Sequence, residues 1–171
     1  MSEILILNGA SRKDGNTARL VRAFAEGAKE AGHAVTEFYL QTLRIGGCLG
    51  CDACKRAKDA DKPCAQQDDM AAIYPVFRRA AVVVFASPVY FWTVSGPLKT
   101  ATDRLYAALS SLGYGGFERK GVLLMTAGGS DYSQAARWYE TFERNLGWTN
   151  LGEVLGAGKT AEAKALGKGI R

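Results

Sequence analysis

At 171 residues, 47% hydrophobic and 23% charged, the chain has the length of one folded domain and the composition of an ordinary globular protein. Its net charge of +5 is modest, and lysine and arginine nowhere alternate with aromatics along a stripe, which argues against a nucleic-acid surface. No apolar run approaches the roughly 18 residues that a membrane helix needs.

The apolar pattern alternates strand and helix along the chain, as expected of a parallel sheet covered on both faces. The first strand is read at about Glu3–Asn8 and leads into Gly9-Ala10-Ser11-Arg12-Lys13-Asp14-Gly15-Asn16-Thr17. A helix from about Asn16 to Ala31 follows, with Leu20, Val21, Phe24 and Ala28 at helical spacing. Gly32 ends it, and Val35 to Leu40 reads as the second strand. Between Leu40 and Asp68 lie 27 residues without clear period, and they contain all four cysteines. Structureless stretches of that length are usually functional.

Asp68 or Asp69 is expected to cap a second helix, in which Pro75 predicts a kink or a late start. The third strand is the apolar run Ala81–Ala86, ending in a loop Ser87-Pro88-Val89-Tyr90-Phe91-Trp92. A helix of about Gly96–Leu109, a strand of about Gly121–Thr126, a helix of about Tyr132–Leu146 and a short strand, Leu151–Gly156, complete the pattern. Lys159, Lys164, Lys168 and Arg171 read as a solvated, basic tail. The expectation is one domain, residues 1–171, a three-layer doubly wound sheet with strands ordered 2-1-3-4-5. Met1-Ser2-Glu3 runs into the first strand without a basic leader, which predicts a cytoplasmic protein with reduced thiols.

Three loops fall at the carboxyl edge of the sheet, where open α/β sheets bind flat cofactors. In the first, Ser11, Asn16 and Thr17 offer donors at a helix N-terminus, with Arg12 and Lys13 beside them. By itself this is equally a capping turn. It is neither a Walker loop nor the three-glycine dinucleotide pattern. In the second, Tyr90, Phe91 and Trp92 are consecutive, so they cannot all face one core, although an aromatic plug is the plainer reading of such a cluster. The third, Thr126-Ala127-Gly128-Gly129-Ser130-Asp131, permits close backbone approach to a ring edge, or is a plain turn with a helix cap.

Asn8-Gly9-Ala10-Ser11-Arg12…Gly15-Asn16-Thr17, then Ser87-Pro88-Val89-Tyr90, then Ser95-Gly96-Pro97-Leu98-Lys99…Asp103-Arg104 together resemble the NADPH-dependent FMN reductase family. The resemblance implies a flavodoxin-like fold and FMN, with Ser11, Arg12, Asn16 and Thr17 around its phosphate; the charge of Lys13 adds it to that set as a candidate. It places Pro88, Val89, Tyr90, Phe91 and Trp92 against the isoalloxazine, and Thr126, Ala127, Gly128 and Gly129 along its polar edge. It also implies NAD(P)H as co-substrate, a small-molecule or protein acceptor, and a homodimer or homotetramer whose flavin sites are finished by a neighbouring chain. Ala10 stands where the family more often has serine.

Cys48, Cys51 and Cys54 form a C-x2-C-x2-C run, and nine residues separate Cys54 from Cys64. Thiolates spaced two residues apart in a turning loop converge as in cubane-cluster ferredoxins. The run followed by Asp68-Asp69-Met70 resembles the iron–sulfur flavoprotein branch, which implies a 4Fe–4S cluster and electron transfer between partner proteins. The gap before Cys64 is longer than that branch usually shows, but nine residues reach about 30 Å and need only fold back. A set of unligated thiols is the alternative. His33 reads as a turn residue, Asp103 and Arg104 as anchors of a helix or of a neighbouring chain. No acid–base catalyst is expected, because the flavin does the redox chemistry.

Overall fold

The computed structural model describes residues 1–112 and 119–171. Five parallel strands, β1 (Glu3–Asn8), β2 (Ala34–Tyr39), β3 (Val82–Tyr90), β5 (Lys120–Thr126) and β6 (Thr149–Leu155), form one sheet in the order β2-β1-β3-β5-β6. Counting parallel strands alone, this is the expected 2-1-3-4-5 order of a flavodoxin-like fold. A sixth strand, β4 (Thr93–Val94), pairs antiparallel with the end of β3.

β1, β3 and β5 are buried on both faces, which is why their sequences are continuous apolar runs rather than alternating ones. Leu5, Leu7, Val83, Phe85, Leu123 and Met125 point to one face, against α2 (Met70–Arg79), α3 (Gly96–Leu112) and α4 (Ser133–Leu146). Ile4, Ile6, Val82, Val84, Val122 and Leu124 point to the other, against α1 (Asn16–Glu30) and α5 (Thr160–Lys168). The period of two along each strand thus builds two separate cores.

Four sequence expectations change. The loop read at Ser87–Tyr90 is strand: β3 continues alongside β5 as far as Pro88↔Thr126, then pairs with β4 through Val89↔Val94 and Tyr90↔Thr93. Pro88 is tolerated because β1 has already ended opposite Ala86, so no ladder on that side asks for its missing N–H. The second change is at the C-terminus, where the supposed tail is helix α5. Gly27 and Gly167 make the α1–α5 crossing close enough that a Cβ on Gly27 would lie 2.0 Å from the Lys164 carbonyl oxygen. Lys164 reaches Glu26 and Glu30 at 2.6 and 2.7 Å, so it is paired rather than free. Third, α2 starts at Met70 and runs through Pro75, so the late start is not seen. Fourth, the cysteine stretch carries two short 3-10 turns, Leu40–Thr42 and Ala53–Arg56. His33 is a turn residue that ties the chain ends together, accepting from Ser2 N at Nδ1 (3.2 Å) and lying 3.0 Å from the Ile170 carbonyl at Nε2.

Candidate functional site

β1 ends in Asn8, which is buried and held on both sides. Its amide nitrogen donates to Glu37 (2.8 Å) and its amide oxygen accepts from Ala10 N (3.0 Å). Gly9 follows, pressed so tightly on α3 that a Cβ there would stand 2.6 Å from Ser95 Oγ. Ser95 in turn donates to the Gly9 carbonyl and accepts no slack from β3: its N–H donates to Ser87 Oγ at 2.8 Å. The first and second loops are therefore fastened to the start of one helix.

The loop then opens α1. Gly15 is its N-cap, no side chain caps it, and no acidic residue lies in its first turn. The free N–H groups and the positive end of the helix dipole face a cavity of about 200 Å³ lined by Ser11, Arg12, Asn16, Thr17, Pro88, Tyr90 and Thr126, among others. Ser11, Arg12 and Asn16 are exposed there, and Lys13 is exposed outside it. Thr17 is buried, its hydroxyl 2.7 Å from that of Thr126, so the start of α1 and the end of β5 are joined directly.

A second, wider hollow of about 570 Å³ adjoins the first, sharing Val89, Tyr90, Ala127 and Gly128, and extends to Phe91, Trp92, Gly129 and Asp131. Phe91 and Trp92 form the turn between β3 and β4, both left-handed with φ of 47° and 63°. Two-residue hairpins favour this geometry but seldom with bulky side chains. Phe91 is 89% exposed and Trp92 60%, so neither belongs to a core. The Ala127 N–H is taken by Tyr132 Oη at 3.0 Å, while Gly128 and Gly129 have open space beside them. The structure thus brings thirteen of the fourteen expected flavin-binding positions to one edge of the sheet, in two joined hollows; Lys13 lines neither, its ammonium lying 5.9 Å from the Tyr39 ring centroid.

The cysteines lie elsewhere, beside α3. Cys48 and Cys51 are exposed, Cys54 and Cys64 half-buried, and all four are free thiols. Arg104, on α3, organises this segment. It is 1% exposed, and its guanidinium donates to both carboxylate oxygens of Asp68 (2.6 and 3.1 Å), to the Gly46 carbonyl (2.8 Å) and to Cys64 Sγ (3.4 Å). Asp68 also accepts from Gly46 N and Met70 N. Burial by itself would raise the Asp68 pKa, but Arg104 and these two N–H groups hold it below the ordinary carboxylate value. Arg104 is thus the anchor that sequence reasoning offered as one option for Asp103-Arg104. Asp103 pairs instead with Lys99 at 2.6 Å on the helix surface.

The chain matches the NADPH-dependent FMN reductase family over residues 2–159, nearly its whole length. It belongs to that family. Among curated relatives, an iron-sulfur flavoprotein of Archaeoglobus fulgidus is 33% identical over 102 residues, 60% of this chain and 48% of the relative. An iron-sulfur flavoprotein of Methanosarcina thermophila is 33% identical over 98 residues, 57% of this chain and 49% of that protein. The matched region is about half the length of these curated relatives. Among solved structures, an NAD(P)H:quinone oxidoreductase from Methanothermobacter marburgensis superposes with a TM-score of 0.69 at 19% identity, covering 98% of this chain and 96% of that one. At that identity the likeness concerns the fold.

This member of the FMN reductase family is fitted for a phosphate-bearing flavin. An uncapped helix N-terminus with no acidic residue in its first turn presents free N–H donors, and the adjoining hollow is lined mainly by apolar and glycine residues, together with Ser130 and Asp131. The four cysteines are not gathered into a preformed cluster site. Among the described residues no three Cys, His, Asp or Glu side chains come together as a metal-holding group. Also among the described residues, no helix is long and apolar enough to cross a membrane.

Proposed function

We propose that the chain is a single FMN-binding domain acting as an NAD(P)H-dependent oxidoreductase, passing electrons from a nicotinamide to a small-molecule or protein acceptor. The carrying observation is the pair of joined hollows at the carboxyl edge, one donor-rich at the uncapped start of α1, one apolar and open. FMN supplies the two-electron chemistry when bound. The protein's part is placement. The α1 N-terminus with Ser11, Arg12 and Asn16 holds the phosphate, with Thr17 locked to Thr126 beneath it. Val89, Tyr90 and the Phe91-Trp92 turn flank the ring, and Gly128 and Gly129 leave its polar edge accessible to backbone. No side chain needs to move a proton, and none is assigned that role.

The exposed Phe91 and Trp92 favour a homodimer or homotetramer in which a second copy covers the turn. The test of the main reading is an anaerobic titration with FMN followed by NADH or NADPH. Retention of FMN with bleaching of its visible absorption by a nicotinamide supports it. A protein that fails to hold FMN at micromolar concentration sinks it.

The second reading is an electron carrier with FMN and an iron–sulfur centre, favoured by the C-x2-C-x2-C run and by the names of the curated relatives. It requires the exposed Cys48–Cys54 segment to close onto Cys64. FMN that is bound but not reduced by either nicotinamide, together with iron and acid-labile sulfide after anaerobic reconstitution, would select this reading instead.

A further inference from the structure

We propose that Tyr90 is a positioning residue for phosphate recognition: its hydroxyl holds Ser11 so that the Ser11 O–H is aimed at the anion, making the site selective for a phosphorylated flavin over the free vitamin. This rests on the FMN reading above. Ser11 Oγ and Tyr90 Oη lie 2.6 Å apart, joining the loop after β1 to the end of β3, 79 positions away in the chain. Neither hydroxyl has another hydrogen-bond partner among the described residues, and both line the cavity at the start of α1.

A hydroxyl carries one proton and two acceptor sites, so a linked pair delivers only one proton outward. A phosphate accepts and never donates when fully ionised. Of the two directions, Tyr90 donating to Ser11 leaves the free proton on Ser11, in the loop that opens α1 and next to the helix N–H groups. A chain of this sense also polarises each bond it contains. Tyr90 therefore serves the phosphate end of the cleft through Ser11, in addition to bordering the ring hollow.

The hairpin supports the same assignment. Left-handed backbone is unfavourable for a residue with a side chain, and here two adjacent residues, Phe91 and Trp92, adopt it. The only backbone pairings this turn closes are Val89↔Val94 and Tyr90↔Thr93. These fix Tyr90 at the mouth of the phosphate cavity, with its ring 47% exposed and its hydroxyl on Ser11. A residue serving only as a stacking surface would have no use for that hydroxyl.

The experiment compares dissociation constants for FMN and riboflavin in the wild type, Tyr90→Phe, Ser11→Ala and the double variant. Tyr90→Phe is expected to weaken FMN about 3- to 10-fold while changing riboflavin less than about twofold. Ser11→Ala should weaken FMN at least as much, and the double variant no further than Ser11→Ala alone. Equal losses for both flavins in Tyr90→Phe, or losses that add in the double variant, would overturn the proposal, because Tyr90 would then act on the ring or independently of Ser11. A wild-type protein that binds neither flavin overturns the FMN reading itself, a result separate from the loss of selectivity.

Discussion

Removing Arg104 tests whether the cysteine segment is held by one buried cation. Arg104→Gln deletes the two bonds to Asp68, the bond to the Gly46 carbonyl and the contact with Cys64 Sγ. Breaking a buried ion pair by truncating one partner costs about 3–5 kcal/mol. Asp68 is 15% exposed and keeps the N–H groups of Gly46 and Met70, so this variant should fall lower, at about 2–3 kcal/mol. Asp68→Asn is the harsher change, since it leaves a full positive charge on a side chain that is 1% exposed, and about 3–5 kcal/mol is expected. Urea unfolding followed by the fluorescence of Trp138 and Trp148, both packed with Phe85, measures each value. The pair also has an acid signature. The folded-state pKa of Asp68 is depressed, so its contribution is complete above the unfolded carboxylate value of about 3.9 and is lost as pH falls through the lower folded value. Arg104→Gln should shrink that acid loss. Two variants each within about 0.5 kcal/mol of wild type, unfolding with unchanged acid dependence, would refute the clamp.

Glu143→Gln should raise the urea midpoint at neutral pH. The wild-type carboxyl is 4% exposed, and burial pushes its pKa up against the opposing influence of Tyr139 and Asn150. Wild type is therefore most favoured below the ordinary Glu value of 4.5 and loses stability as pH rises through the folded pKa, so the two proteins should converge in acid. Gly27→Ala should destabilise by about 1–3 kcal/mol, because its Cβ would meet the Lys164 carbonyl and force α5 away from α1; thermal melting reads this. Phe91→Asn with Trp92→Gly should stabilise the hairpin by about 1–2 kcal/mol in the flavin-free protein by relieving left-handed strain, and light scattering should show weaker self-association; an unchanged oligomer would show that the turn is not the contact.

Much of the sheet was legible because β1, β3 and β5 are buried on both faces, and a two-sided burial leaves an uninterrupted apolar run. The hairpin was not, since two bulky residues at positive φ contradict the local preferences from which turns are read. Helix α5 hid behind its lysines. Its buried residues Ala163 and Gly167, one turn apart, marked a face that the charge count obscured. The burial of Arg104 was legible too. Leu98, Ala101, Leu105 and Ala108 are the buried stripe of α3, and Arg104 falls on that stripe, which should have flagged it as a buried cation in need of a carboxylate. Its partner could not be named from sequence, as Asp68 lies 36 positions away across an irregular segment.

α3 connects the two candidate redox elements. Ser95, immediately before its first turn, is bonded to the loop after β1 and to Ser87 of β3, and so fixes the proposed flavin cleft. Arg104, nine positions further along, fixes the cysteine segment, and at 1.5 Å per residue the two fastenings are roughly 13 Å apart on one rigid rod. They share no hydrogen-bond partner. Loss of the Arg104 clamp should therefore release Gly46, Cys64 and Asp68 without disturbing Gly9, Ser11 or Thr17, and Arg104→Gln should keep its affinity for FMN while the cysteine segment loses protection from hydrogen exchange. A parallel fall in FMN affinity would mean that the helix transmits strain between its ends, and that the flavin cleft and the cysteine segment are one cooperative unit rather than two sites on a common support.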